Sequence, residues 1–430
     1  MPKAQSQPKN WQRIKVGDLL SHYIGGGWGS NSQTIEFSEP AFVIRGTDIP
    51  RVSVGDAESL PFRYHKKSNI KSRKLNAGDV VFEVSGGSKD QWVGRSLIIK
   101  DGLLKKLGKD VIPASFCKGL TPDDTKINSA YFYYFLQKIY QSDEISQWQT
   151  QSTGISNFKF EKFLDECFIN LLPKPNQKQI ADVLSAYDDL IENNTKRIKI
   201  LEEMAQAIYK EWFVYFRFPG HEKIKMIDSK TEFGKIPEGW EVKKVKDFVD
   251  FVRGVETGSK NYQEQSKDGL LPFLRVGDLG ARQSNIFIEK ELANNKVLSK
   301  SNIAVSMDGT VGIVRIGLEG AYSSGIRKVV TKEEKKEFMN NPFVWELMQS
   351  ENIQNTIQEN AKGTTILHAS ESINNMVFVL PTKEIMKEFF DTAQPTMELI
   401  IDLMVQNENL RQARDLLLPK LVGGEITVKR

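Results

Sequence analysis

The run Leu171-Leu172-Pro173-Lys174-Pro175-Asn176 is followed by Ile180, Leu184, Tyr187, Ile191, Asn194, Ile198, Leu201, Ala205, Ile208 and Trp212. These positions alternate four and three residues apart, the spacing of a heptad seam that keeps one helix face apolar. Neither Pro nor Gly interrupts 177–212, so at about 1.5 Å per residue the predicted helix exceeds roughly 50 Å. A rod of that length cannot be buried in one small globule. It predicts a spacer, with Asn194 either setting the register or exposed at a slightly rotated seam.

Outward from this helix the chain repeats itself. Pro8-Lys9-Asn10-Trp11-Gln12-Arg13-Ile14-Lys15-Val16-Gly17-Asp18 opens one half, and Pro237-Glu238-Gly239-Trp240-Glu241-Val242-Lys243-Lys244-Val245-Lys246-Asp247 opens the other. Leu172-Pro173 returns as Leu380-Pro381, followed by a second amphipathic stretch whose apolar face is Ile385, Phe389, Met397, Ile400, Leu403, Leu410, Leu417 and Leu421. Pro395 lies inside this stretch and predicts a kink or break. Leu201 matches Leu410, Ile208 matches Leu417 and Trp212 matches Leu421, and Leu403 stands where the first helix has Asn194. The simplest packing for two such helices is an antiparallel pair. The predicted order is a globule (1–172), a spacer helix (173–218), a linker and second globule (219–380), and a second spacer helix with the tail (381–430). The interval from Trp11 to Trp240 is longer than that from Pro173 to Pro381, so length has diverged inside the globules.

With 430 residues, 40% of them hydrophobic, the chain exceeds one ordinary core and can fill two. No apolar run approaches the roughly 20 residues of a membrane span, and Met1 to Asn10 are polar, so a cytoplasmic protein without membrane contact is expected. Cys117 and Cys167 read as buried thiols. His22, His65, His221 and His368 lack metal-ligand spacing and read as surface or loop residues, so no metal site is expected. The net charge of +4 is mild, and any attraction for nucleic acid must come from local basic surfaces and partners.

Both globules read as mixed α/β (α+β) with short strands. Ala41–Ile49 and Gly78–Val84 are β-rich in the first, and Leu271–Leu279 and Asn302–Ser306 take the equivalent places in the second. Arg45 and Arg275 each precede an Asp by three residues. Next come Gly-rich loops, Ser85-Gly86-Gly87-Ser88-Lys89-Asp90-Gln91-Trp92-Val93-Gly94-Arg95 against Met307-Asp308-Gly309-Thr310-Val311-Gly312. Glycine permits close approach of backbone, and Lys, Arg, Gln, Ser and Thr bond phosphates or base edges; a plain hairpin turn is the alternative. Toward the end of each globule an apolar helix around Tyr131–Leu136 or Pro342–Leu347, read as core, precedes a polar loop at 147–155 or 360–366. Gly25-Gly26-Gly27-Trp28-Gly29 is a further flexible loop without dinucleotide-site spacing.

Reaction centres are missing. Gly102 to Gly108-Lys109-Asp110 has the wrong spacing for a phosphate loop and no Ser or Thr after its Lys. Pro122-Asp123-Asp124-Thr125-Lys126 is crowded into a surface turn rather than spread as a nuclease site, and Asn341-Pro342-Phe343 lacks the second proline of an adenine-methyltransferase motif. No cofactor and no catalytic residue is expected, only recognition surfaces.

In its ordered motifs the chain resembles the specificity subunit of type I restriction-modification systems. The resemblance is carried by Leu172-Pro173, Gln177-Lys178-Gln179-Ile180, Asp189, Ile191 and Asn194, then by Leu201–Val214 and Pro237-Glu238-Gly239-Trp240. It ends on Leu410-Arg411 and Leu416-Leu417-Leu418-Pro419-Lys420-Leu421-Val422-Gly423-Gly424-Glu425-Ile426. It implies two target-recognition domains, each reading half of a split double-stranded DNA site, and paired helices holding two adenine-N6 methyltransferase subunits, with two restriction/translocase subunits added. Half-sites about 34 Å apart share one duplex face, a separation that a helix of roughly 50 Å can serve. Expected DNA contacts are Arg45, Ser88, Lys89, Gln91, Trp92, Arg95, Gln149, Gln151 and Ser152 in the first globule. In the second they are Arg275, Thr310, Arg315, Lys362, Thr364 and Thr365. The alternative is a pseudo-symmetric adaptor whose globules bind protein instead of DNA; a self-contained methyltransferase or nuclease is a third reading, opposed by the missing motifs.

Overall fold

The computed structural model describes residues 12–86, 91–152, 155–282, 284–363 and 367–428. The repeated openings and the repeated Leu-Pro ends are strand partners: Gln12–Lys15 pairs antiparallel with Phe168–Leu171, and Glu241–Lys244 with Val377–Leu380. Each globule is therefore closed where it meets a long helix. Trp240 is buried and stacks on Phe218 at 4.9 Å, which accounts for the Pro-Glu-Gly-Trp motif; Trp11 lies outside the described residues.

The interiors repeat as well. In the first globule one sheet has the order Leu20–Gly25, Cys117–Pro122, Val80–Glu83, Ser96–Ile98; in the second the order is Val249–Arg253, Ile326–Thr331, Ile303–Ser306, Val314–Arg315. The central strands are buried residue after residue, which is why they read as continuous rather than alternating apolar runs. A further sheet in each globule contains one parallel pair, Glu39–Ile44 with Asp110–Pro113 and Leu270–Leu274 with Gly320–Tyr322. Crossing backbones explain one glycine in each half. A Cβ on Gly26 would sit 2.1 Å from the Ala114 carbonyl oxygen, and one on Gly254 would sit 2.2 Å from that of Tyr322.

The aromatic helices form core. Asn128 caps Ser129–Gln141 by accepting from the Tyr131 N–H, and Asn340 caps Asn341–Gln349 by accepting from the Phe343 N–H, so the two helices share one register. His65 departs from the surface reading: it is fully buried at the end of Phe62–His65, with Gly29 pressed against its ring. Its strand pairs with the buried Glu39–Ile44 edge, so alternation turns the imidazole inward.

The first long helix is Lys174–Tyr209, continued by a π turn over Lys210–Val214, and the second is Lys383–Val422. Pro395 neither ends nor breaks the latter. Its missing N–H costs one helical bond, but Phe389, Ala393, Met397 and Ile400 on both sides of it are buried in one core, and that burial outweighs the local loss. The second helix also carries its own buried polar residue. Asn407 lies four positions beyond Leu403 and donates to the Thr195 hydroxyl at 3.3 Å.

The chain forms two compact units. One comprises residues up to Lys196 together with those from Asn407 onward; the other is Arg197–Gln406. In the first, Asp188 and Thr195 meet Arg414 and Asn407 respectively, so the helices run antiparallel there, and Leu418, Leu421 and Val422 enter a core with Tyr131, Ile180 and Leu184. In the second, Tyr209 and Phe213 pack on Phe343 and Phe389. No described helix is long and apolar enough to cross a membrane.

Candidate nucleic-acid interface

Three segments that are distant in sequence converge at corresponding edges of the two globules: the Arg-x-x-Asp turn, the Gly-rich loop and the later polar loop. In the first globule, Ser85–Gly86 becomes the third strand beside the hairpin Gln149–Ser152 and Ile155–Phe158. The Ser85 hydroxyl donates to Asn157 Oδ1 at 2.7 Å. Gln149 closes the far side of the loop, donating from Nε2 to the Val93 carbonyl at 2.7 Å and accepting the Val93 N–H at 3.2 Å. In the second globule, Gly309 N–H donates to the Leu367 carbonyl at 2.8 Å, and Lys362 and His368 exchange backbone bonds. His368 Nδ1 lies 2.8 Å from Asp308 Oδ1, joining the two loops by side chains.

The Arg-x-x-Asp turns are built alike. The Arg45 N–H and Nε both donate to Asp48 Oδ2, at 3.0 and 2.8 Å, and Arg275 does the same to Asp278 Oδ2 at 2.9 and 3.1 Å. Burial alone would raise the Asp48 carboxyl, but hydrogen bonds and charge from Arg45 and Arg51 hold it below the usual carboxylate range. Each turn lies against its Gly-rich loop: a Cβ on Gly46 would strike Glu83, and one on Gly309 would lie 3.8 Å from Val276.

Equivalent positions fix the two loops by different chemistry. Glu83 is buried and takes a two-point ion pair from Arg95, at 2.6 and 2.9 Å, across twelve residues. Ser306 stands at the matching place, and its hydroxyl donates to the Thr310 carbonyl at 2.6 Å while accepting the Ile313 N–H at 2.8 Å, across seven. One frame thus carries a long loop and a short one.

The sequence-derived residues divide accordingly. Gln91, Trp92, Thr310 and Lys362 are exposed beside the converged loops, and Lys362 pairs with exposed Glu371 at 2.6 Å. Arg45 and Arg275 are half-exposed in their turns. Arg95 and Gln149 hold the loop rather than project from it. Arg315 points elsewhere: it donates to the Leu279 and Val314 carbonyls and lines a cleft with Lys199, Glu202, Gln206 and Arg282, where Arg282 pairs with Glu202 at 2.8 Å. Gln151 and Ser152 belong to the hairpin backbone, while Ser88, Lys89, Thr364 and Thr365 lie outside the described residues. Sequence reading missed Glu83, Asp308, Asn157 and His368 as the groups that join segments. Only the repeated Arg-x-x-Asp spacing announced any of this.

The family model of the type I restriction modification DNA specificity domain matches residues 8–203 and 237–409. The chain belongs to this family. Its function is DNA recognition as a type I specificity subunit, and the two matched stretches are the two copies seen in the fold. The specificity subunit is 27% identical to the type I restriction enzyme MjaIX specificity subunit of Methanocaldococcus jannaschii, over 98% of this chain and 95% of that one. It is 22% identical to the HindI specificity subunit of Haemophilus influenzae, over 97% of this chain and all of that one. The solved S subunit of a type I restriction-modification system from M. genitalium shares its fold, with a TM-score of 0.53 at 14% identity over 98% of each chain.

Proposed function

We propose that each globule reads one half of a bipartite, asymmetric DNA site, and that the chain supplies recognition without a catalytic group. The observation that carries this reading is the doubled convergence of Gly-rich and polar loops on one preserved frame, closed by an ion pair in one copy and by a hydroxyl in the other. Different loops on equal frames suit different half-sites. The reading domains are 1–172 and 219–380, and the helices 173–218 and 381–430 carry two adenine-N6 methyltransferase subunits, with two restriction subunits joining the complex. Side chains that meet DNA are Gln91, Trp92, Thr310, Lys362, Arg45 and Arg275, together with Ser88, Lys89, Gln151, Ser152, Thr364 and Thr365; Arg95 and Gln149 hold the first Gly-rich loop in place.

Mapping methylated adenines genome-wide tests the reading. We expect one split motif that disappears when this gene is deleted. Inserting one helical turn within 177–212, with a matching turn in 383–422, should lengthen the spacer while leaving both half-sequences intact; an unchanged spacer overturns the ruler role. Alanine at Lys362 should weaken binding about equally on all sequences and lower the salt slope by about one, as loss of a phosphate contact does.

A further inference from the structure

We infer that Phe116 is a specificity-determining residue of the first half-site, presenting a flat apolar ring to its bases, and that the second globule is built without a counterpart. This rests on the first globule reading DNA through its converged loops. Phe116 belongs to the turn between Asp110–Pro113 and Cys117–Pro122 and is 59% exposed, unusual for a Phe on a folded domain. Its carbonyl accepts both the Val84 and Ser85 N–H groups, at 2.9 and 3.3 Å, so its backbone is pinned to the start of the Gly-rich loop. Trp92 on the same loop is 44% exposed, and half-exposed Arg45 stands one residue before Gly46, which lies against Glu83 just ahead of that loop. An exposed aromatic pinned by its backbone to a hydrogen-bonding loop suits a base face or a thymine methyl.

The second globule supplies the control. Gly325 occupies the same place: its carbonyl accepts Met307 and Asp308 N–H at 2.8 and 3.3 Å, and Ile326 N–H closes the turn on Ser323 as Cys117 N–H closes it on Ala114. Gly325 does not have a positive φ, so the turn itself does not demand glycine. Space does, because a Cβ there would lie 2.8 Å from Val276 Cγ2. The first globule has Gly46 where the second has Val276. The two copies have therefore exchanged volumes, Gly46 with Phe116 against Val276 with Gly325. The frame does not need the ring, so its exposure in the first copy calls for a partner outside the chain.

The test uses the full chain assembled with its methyltransferase subunits and duplexes selected from a randomised library. Phe116→Ala should bind the wild-type duplex about tenfold or more weakly, with base preference relaxed in the first half only. The slope of log affinity against log salt should be unchanged, because the ring neutralises no phosphate. Phe116→Tyr should retain the site, while Phe116→Leu should lose it as Ala does. All three should unfold at the wild-type midpoint, and if Ala does not, the Tyr and Leu comparison decides. Equal affinity and an unchanged motif for Phe116→Ala overturn the inference, as does a loss shared by both halves or accompanied by a smaller salt slope. If the wild-type complex selects no split site, the proposed function fails and takes this inference with it; a split site unaltered in both Phe116→Ala and Phe116→Leu removes the inference alone.

Discussion

The Arg95 guanidinium and the Glu83 carboxylate, 13% and 2% exposed, form an ion pair that neither can replace with water. Burial would lower the Arg95 pKa, yet the Glu83 hydrogen bonds and charge raise it. Removing one member strands a buried charge, so Arg95→Ala should destabilise the first globule by about 3–5 kcal/mol, whereas replacing both by apolar groups of similar volume should cost far less. Denaturant unfolding of the single and double variants checks this. Glu346 has the opposite problem. Burial, and secondarily Glu202, push its carboxyl up to about 8, and its oxygens find no hydrogen-bond partner. It holds its proton more tightly folded than unfolded, so its contribution is fully present below the ordinary carboxyl value of 4.5 and is lost as pH rises through about 8. Glu346→Gln should flatten that decline, gaining on the native chain across this window by a few kcal/mol at most. A parallel pH profile for both proteins would refute the assignment.

At the scale of elements, Asp188 joins three helices within the first unit. It accepts from the Tyr134 hydroxyl at 2.7 Å and from Arg414 at 2.6 Å. Asp188→Ala should therefore cost more than a surface ion pair, about 3–5 kcal/mol, because Arg414 would be left 23% exposed without its main partner. Leu421→Ala should cost about 2–5 kcal/mol for the cavity left beside Tyr131 and Leu184, measurable as a lower melting temperature of the unit. Much of this level was legible in the sequence. The four-three spacing named the first long helix, and Ile180, Leu184, Ile191, Asn194, Ile198 and Ala205 are buried as that seam requires. The second helix was blurred because Asn407 and Arg414 interrupt its apolar face, answering Thr195 and Asp188, partners that periodicity cannot reveal. The loops were legible one by one, but not their convergence: Gln149 reaches Val93 and His368 reaches Asp308 across separations that no local pattern encodes.

Across the whole molecule, two units share both long helices, and each core needs residues from both. A chain stopped after Gln406 should keep the Tyr209–Phe343–Phe389 core intact while the first globule loses Leu418, Leu421 and Val422. Hydrogen exchange should then show lost protection around Tyr131–Leu136 and native protection around Phe343–Leu347. The same connectivity has a consequence during synthesis. The second unit, Arg197–Gln406, is translated in full before Leu418 exists. At about 5–20 residues per second, the nascent first globule waits tens of seconds, or close to it, for its closing helix. A ribosome that stalls or shifts frame anywhere in that interval releases a chain whose first globule lacks Leu418, Leu421 and Val422, and with them one wall of its core.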